Sequence, residues 1–132
     1  MRLGHIALSV SDLSQSVQFY RRFFGLRTTN TYAYPDRGFS IVMMRKEGLV
    51  LELFEFRKHK PLPAYRRELD RDLRTLGVKH FSVEVDRIRP VYSKFLKAGV
   101  AMATPLRSFD NGARYFFIKD PDGILIEIME AL

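Results

Sequence analysis

Cysteine is absent from this chain of 132 residues, which excludes disulfides, thiolate metal sites and a cysteine nucleophile. No apolar run approaches the length of a membrane span, about 20 residues; the richest stretch, residues 48–56, is broken by Glu52 and Glu55. The N-terminal Met1-Arg2-Leu3-Gly4-His5 lacks the apolar core of a secretion signal. No glycine-rich phosphate loop is present, and no nucleophile elbow supports Ser-His-Asp catalysis. A soluble cytoplasmic protein without a membrane segment is the expectation. Acidic residues are in the minority, 15 against 22 lysines and arginines, for a net charge of +7. That balance favours anionic partners. The basic residues are scattered, however, and the one dense cluster, Arg57-Lys58-His59-Lys60, falls in a linker. A solvated basic surface with a pocket for a small anionic or carbonyl-containing substrate is expected, without nucleic acid. With 46% hydrophobic and 28% charged residues, the chain is globular and long enough for one compact domain, residues 1–132.

What the chain does have is a repeat. His5 and Glu52 are separated by 47 residues, as are His80 and Glu127, and the two pairs are offset by 75. The same offset maps Gly48-Leu49-Val50-Leu51-Glu52-Leu53-Phe54-Glu55 onto Gly123-Ile124-Leu125-Ile126-Glu127-Ile128-Met129-Glu130. Three positions of that octet are identical, and the rest exchange one apolar residue for another.

Periodicity gives both halves the same order of elements. Residues 3–10 alternate, with Ile6, Leu8 and Val10 opposite His5, Ala7 and Ser9, which predicts a strand with one apolar face. Ser11 and Asp12 are N-cap residues; Leu13, Val17, Tyr20, Phe23 and Phe24 then recur at helical spacing up to Gly25, a C-terminal stop. Strands are predicted over residues 27–34, 39–45 and 49–56, separated by turn-forming residues at 35–38 and 46–48. The linker, residues 57–76, carries Pro61 and Pro63, then Leu69, Leu73 and Leu76 at the spacing of a short amphipathic helix. The pattern restarts with a strand at residues 78–85, a helix at 88–97 started near Asp86, a weak strand at 100–106 interrupted by Pro105, and strands at 114–118 and 124–129 after the turn Asp120-Pro121-Asp122-Gly123. The predicted fold is α+β: two βαβββ modules, residues 1–56 and 77–132, forming a shared cleft.

In each first strand the histidine lies opposite the apolar side, beside Ala7 or Ser82. In each fourth strand Glu52 or Glu127 shares its face with apolar neighbours, Val50 and Phe54 or Leu125 and Met129. A carboxylate in that setting is costly to bury unless something pairs it. Two imidazoles and two carboxylates suit a borderline divalent ion such as Zn²⁺, Ni²⁺, Co²⁺, Mn²⁺ or Fe²⁺. Such an ion acts as a Lewis acid on a carbonyl, and a carboxylate released from it becomes a base beside bound substrate. Taken singly, a histidine at a strand start or a glutamate within a strand is ordinary; the repeated interval makes these four candidate ligands. His59 is expected to be exposed. Glu55 and Glu130 lie on the opposite strand face, where surface or helix-capping roles are expected. Tyr32, Tyr34, Phe39, Tyr115 and Phe117 are candidate pocket or core aromatics, and Arg37, Arg45, Arg107 and Arg114 are candidates for holding an anionic group.

These residues resemble the vicinal oxygen chelate superfamily, which includes glyoxalase I, fosfomycin-resistance proteins, methylmalonyl-CoA epimerase, extradiol dioxygenases and bleomycin-resistance proteins. The resemblance rests on Gly4-His5-Ile6-Ala7-Leu8-Ser9-Val10, Asp12-Leu13, Phe19-Tyr20, Phe24-Gly25-Leu26, Leu51-Glu52-Leu53, Val78-Lys79-His80-Phe81, Asp120-Pro121-Asp122-Gly123 and Ile126-Glu127-Ile128. It covers nearly the whole chain apart from the linker. The set His5, Glu52, His80 and Glu127 looks like that of bacterial glyoxalase I, a lactoylglutathione lyase. The resemblance implies that these four bind one divalent ion (nickel, cobalt or zinc), that Glu127 shuttles a proton while the metal stabilises an enediolate, and that the protein is a homodimer. Glyoxalase I carries an arginine four residues after its first histidine, where this chain has Ser9, and its linker is shorter and less basic. An epimerase or isomerase that does not use glutathione needs the same four ligands. A non-catalytic small-molecule-binding member of the superfamily is the alternative from a different class.

Overall fold

The computed structural model describes residues 1–130. The chain divides into two compact units, residues 1–61 and 62–132, so residues 62–76 of the linker pack with the second unit. Each unit has one main helix and one four-stranded mixed sheet.

In the first unit β1 (Ile6–Val10), α1 (Leu13–Phe24), β2 (Arg27–Tyr34), β3 (Phe39–Lys46) and β4 (Leu49–Phe56) follow one another, with a single 3₁₀ turn at Pro35–Arg37. The sheet order is β1-β4-β3-β2. β1 runs parallel to β4, and the other pairs are antiparallel. α1 starts where Asp12 Oδ1 accepts the Gln15 N–H at 2.8 Å and stops where Gly25 takes φ 71°, a backbone region that glycine enters without a Cβ penalty. Alternation along β4 buries Leu51 and Leu53 completely, together with Met44 of β3 and Tyr20 of α1. Each such side chain contributes roughly 1.5–3 kcal/mol by leaving water.

The second unit repeats this as β5 (Phe81–Glu84), α3 (Ile88–Lys97), β6 (Arg107–Ser108), β7 (Arg114–Lys119) and β8 (Leu125–Glu130), preceded by a 3₁₀ turn at Ala64–Arg67 and the four-residue α2 (Leu69–Asp72). Its order is β5-β8-β7-β6, with β5 parallel to β8. The core is Ile88 and Phe95 of α3 against Phe116, Ile118, Ile126 and Ile128, all at most 1% exposed.

Three expectations need correction. The amphipathic linker helix is only α2, and its leucine stripe is not a buried face: Leu73 is 53% and Leu76 100% exposed. The buried residue there is Asp72, at 1%. Residues 100–106 form no strand; a bridge between Met102 and Ile118 and the short β6 replace it, as expected around Pro105, which can donate nothing to a ladder. β1 and β5 each begin one residue after the histidine, at Ile6 and Phe81.

Candidate functional site

Strand alternation sets the chemistry of both units. In β4, Leu51, Leu53 and Glu55 share one face while Glu52 and Phe54 share the other. β1 pairs with β4 so that Ala7 lies opposite Glu52, and His5 enters from just before the strand. His5 Nε2 lies 3.2 Å from Glu52 Oε2. In the second unit Ser82 lies opposite Glu127, and His80 Nε2 lies 3.6 Å from Glu127 Oε2. Each sequence-predicted pair is therefore assembled, one per unit, by the parallel pairing of first and last strands. Among the described residues no group of three or more His, Cys, Asp or Glu side chains is gathered.

The pairs are not equally enclosed. His5 and Glu52 side chains are 48% and 21% exposed, whereas His80 and Glu127 are 26% and 13%. The His80 ring meets Phe117 edge to face at 4.9 Å, and its buried Nδ1 has no hydrogen-bond partner. The 3.6 Å separation exceeds a hydrogen bond, so hydrogen bonding does not account for the second pair. Two ligands about 2.1 Å from one ion stand roughly 3.0 Å apart at right angles and roughly 3.4 Å apart at the tetrahedral angle. The 3.2 Å spacing of the first pair lies between those values and the 3.6 Å of the second lies just beyond the larger; the imidazole–carboxylate donor set suits a borderline divalent ion.

Of the two roles expected for the matched glutamates three residues further on, surface or helix cap, the structure shows the cap. Glu55 Oε2 accepts the Leu13 N–H at 2.7 Å, and Glu130 Oε1 accepts the Ile88 N–H at 3.2 Å. α3 has no side-chain cap from its own N-cap residue, Arg87, so Glu130 serves an otherwise unpaired end. Each last strand thus offers one glutamate to the histidine face and one to the helix.

The secondary candidates divide. Arg114 forms an ion pair with Glu130. Arg37 stacks 6.0 Å over Tyr34; Arg45 and Arg107 are exposed strand residues. His59 is exposed, with Nδ1 3.1 Å from the Phe56 carbonyl oxygen. Phe39 stacks on Tyr34 and Phe56, and Tyr115 on Phe109. The sequence reading missed Asp72, whose buried carboxylate pairs with the part-exposed Arg66 and Lys79 just before His80; nothing in the sequence separates it from the other linker acids, Glu68 and Asp70.

Comparison with known proteins agrees with this architecture. The model of the Glyoxalase/Bleomycin resistance protein/Dioxygenase superfamily matches residues 2–128. The chain belongs to that superfamily. Among curated proteins it is 24% identical to the Homo sapiens protein named methylmalonyl-CoA epimerase, mitochondrial, over 98% of this chain and 74% of that one. It is 26% identical to lactoylglutathione lyase of Escherichia coli O157:H7, over 98% of this chain and 93% of that one. Among solved structures, a glyoxalase family protein from Enterococcus faecalis superposes with TM-score 0.82 at 24% identity, covering 98% of this chain and 97% of that one. The trypanothione-dependent glyoxalase I of Leishmania major gives 0.72 at 22% identity, covering 98% and 86%. These likenesses establish the fold. No helix among the described residues is long and apolar enough to cross a membrane.

Proposed function

We propose that this chain is a divalent-metal-dependent lyase or isomerase of glyoxalase I type, moving a proton between adjacent carbons of an α-hydroxy-carbonyl substrate. The observation that carries the reading is the duplicated pair: His5 beside Glu52 and His80 beside Glu127, at matching places in a repeat. Those four side chains would hold the ion, in its nickel, cobalt or zinc form. When bound, it supplies Lewis-acid polarisation of a substrate oxygen, which makes the adjacent C–H acidic. Glu127 is the catalytic base: it accepts the proton from one carbon and returns it to the neighbouring carbon. Phe117 and Met129, around Glu127 on its sheet face, keep water from that carboxylate. A homodimer in the cytoplasm belongs to the same reading, and equilibrium sedimentation checks the assembly.

A second reading has its own support. Ser9 stands where the resemblance to glyoxalase I calls for an arginine that helps bind glutathione, and the human epimerase is as similar as the bacterial lyase. An epimerase using a different acyl substrate would keep the four ligands and the role of Glu127.

One experiment separates them. The protein is loaded with Ni²⁺ or Co²⁺ and assayed with methylglyoxal plus glutathione, then incubated with 2-methyl acyl thioesters in heavy water. Turnover of the hemithioacetal supports the lyase; α-deuteration without such turnover supports the epimerase. Small-molecule binding with neither reaction, unaffected by Glu127→Gln, would overturn both in favour of a binding module.

A further inference from the structure

The cluster in front of His80 has a purpose beyond closing a loop. Asp72 ends α2 and is 1% exposed. Its Oδ1 accepts from Arg66 Nε at 3.1 Å and from Lys79 Nζ at 3.3 Å. Lys79 Nζ also donates to the carbonyl of Asp72 at 2.9 Å and to that of Thr75. Arg66 Nη2 donates to the Val78 carbonyl at 2.6 Å. One carboxylate and two cations therefore tie down the backbone at residues 72, 75 and 78 and the side chain of residue 79. The next residue is His80, which lies outside β5 and has no strand ladder of its own.

As a stabiliser this arrangement is poor. The Asp72 carboxylate is buried at a desolvation cost that a well-packed apolar residue would avoid, while Arg66 stays 35% and Lys79 17% exposed. Asp72 Oδ2, moreover, is buried with no hydrogen-bond partner, a further penalty. What the cluster does supply is a fixed position for the peptide that carries the imidazole.

We propose that Asp72 is the positioning residue of the second half-site: through Lys79, and with Arg66 through Val78, it sets where His80 presents Nε2 to Glu127. The proposal rests on the reading of His80 as a metal ligand only for its effect on metal affinity. The effect on the ring itself is independent of any ion.

The test uses the full chain and ¹H–¹³C spectra of its three histidines without metal, followed by Co²⁺ titration calorimetry. In the unsubstituted protein the His80 ring signal is expected to be displaced by the ring current of Phe117, whose centroid lies 4.9 Å away. Asp72→Asn is expected to move that signal toward the position of exposed His59 while His5 and the amides of the first unit stay unchanged. It is expected to weaken Co²⁺ binding about 10-fold or more, the usual scale for groups that orient a metal ligand. Arg66→Gln, which releases Val78 but leaves the Asp72–Lys79 pair, should give a smaller displacement in the same direction, and it carries the test if Asp72→Asn does not fold. Phe95→Leu, in the α3 core, is the control: it lowers the melting temperature but leaves both the His80 signal and the Co²⁺ affinity in place. An unmoved His80 signal in Asp72→Asn, or in Arg66→Gln where only that variant folds, would overturn the proposal. So would a Phe95→Leu variant that moves the signal equally. If the unsubstituted protein takes up no Co²⁺ yet Asp72→Asn displaces the ring, the metal reading fails and the positioning role stands.

Discussion

The two histidine–glutamate pairs come from one repeated pattern, and the two units hold them differently. His5 follows Met1–Gly4, all exposed, and is itself nearly half exposed. His80 follows a segment fastened by Asp72, Arg66 and Lys79 and leans on Phe117. Strand alternation is enough to place the same residue types on the same face twice. It does not fix how firmly each is held, because that depends on what precedes the strand. The second unit therefore holds its histidine–glutamate pair more enclosed than the first does.

The comparison sharpens first at the two carboxylates. Glu127→Gln is expected to lower turnover by about 10²–10⁴-fold, the scale of a lost general base, measured as α-proton exchange. Glu52→Gln should weaken metal binding while a saturating ion restores most of the turnover. Equal losses at saturating metal would erase the distinction between the two acids.

The capping glutamates come next. Removing either leaves a helix N–H unpaired, at about 0.5–2 kcal/mol. Glu130→Ala also strips Arg114 of its ion-pair partner, so it should destabilise more than Glu55→Ala in urea unfolding. The reverse order would show that the Arg114 pair contributes nothing.

The turns entering the last strands give the widest contrast and, at Gly48, the smallest effect. Gly123 sits at φ 87°, and a Cβ there would meet Arg67 Cγ at 3.0 Å. Its repeat partner Gly48 has open space and no positive φ, because Glu47 takes the left-handed position instead, at φ 50°. Gly123→Ala should cost about 1–2 kcal/mol and Gly48→Ala less than about 0.5 kcal/mol, both read from thermal melts.

Much of this was legible in the residues. The strands at 27–34 and 49–56 and the helix at 88–97 match the structure residue for residue; the last two have a clean apolar period, whereas 27–34, exposed throughout, is set by the turn residues that flank it. The split of Glu52 from Glu55, and of Glu127 from Glu130, follows from a two-residue alternation. The linker was not legible. Its leucines keep a helical spacing, yet the chain there folds around a buried carboxylate whose partners lie six residues before it and seven after. No periodic pattern registers ion pairs made across irregular turns. The shift of the left-handed turn residue from Gly123 to Glu47 was hidden as well, since both turns carry a glycine where one is expected.

The central proposal is that His5, Glu52, His80 and Glu127 would hold one ion together. Metal analysis after loading with Ni²⁺ or Co²⁺ and exhaustive dialysis tests it most directly. The expected result is one ion per chain, lost in His5→Ala and lost equally in His80→Ala. Two ions per chain, or one that survives removal of either histidine, would contradict it.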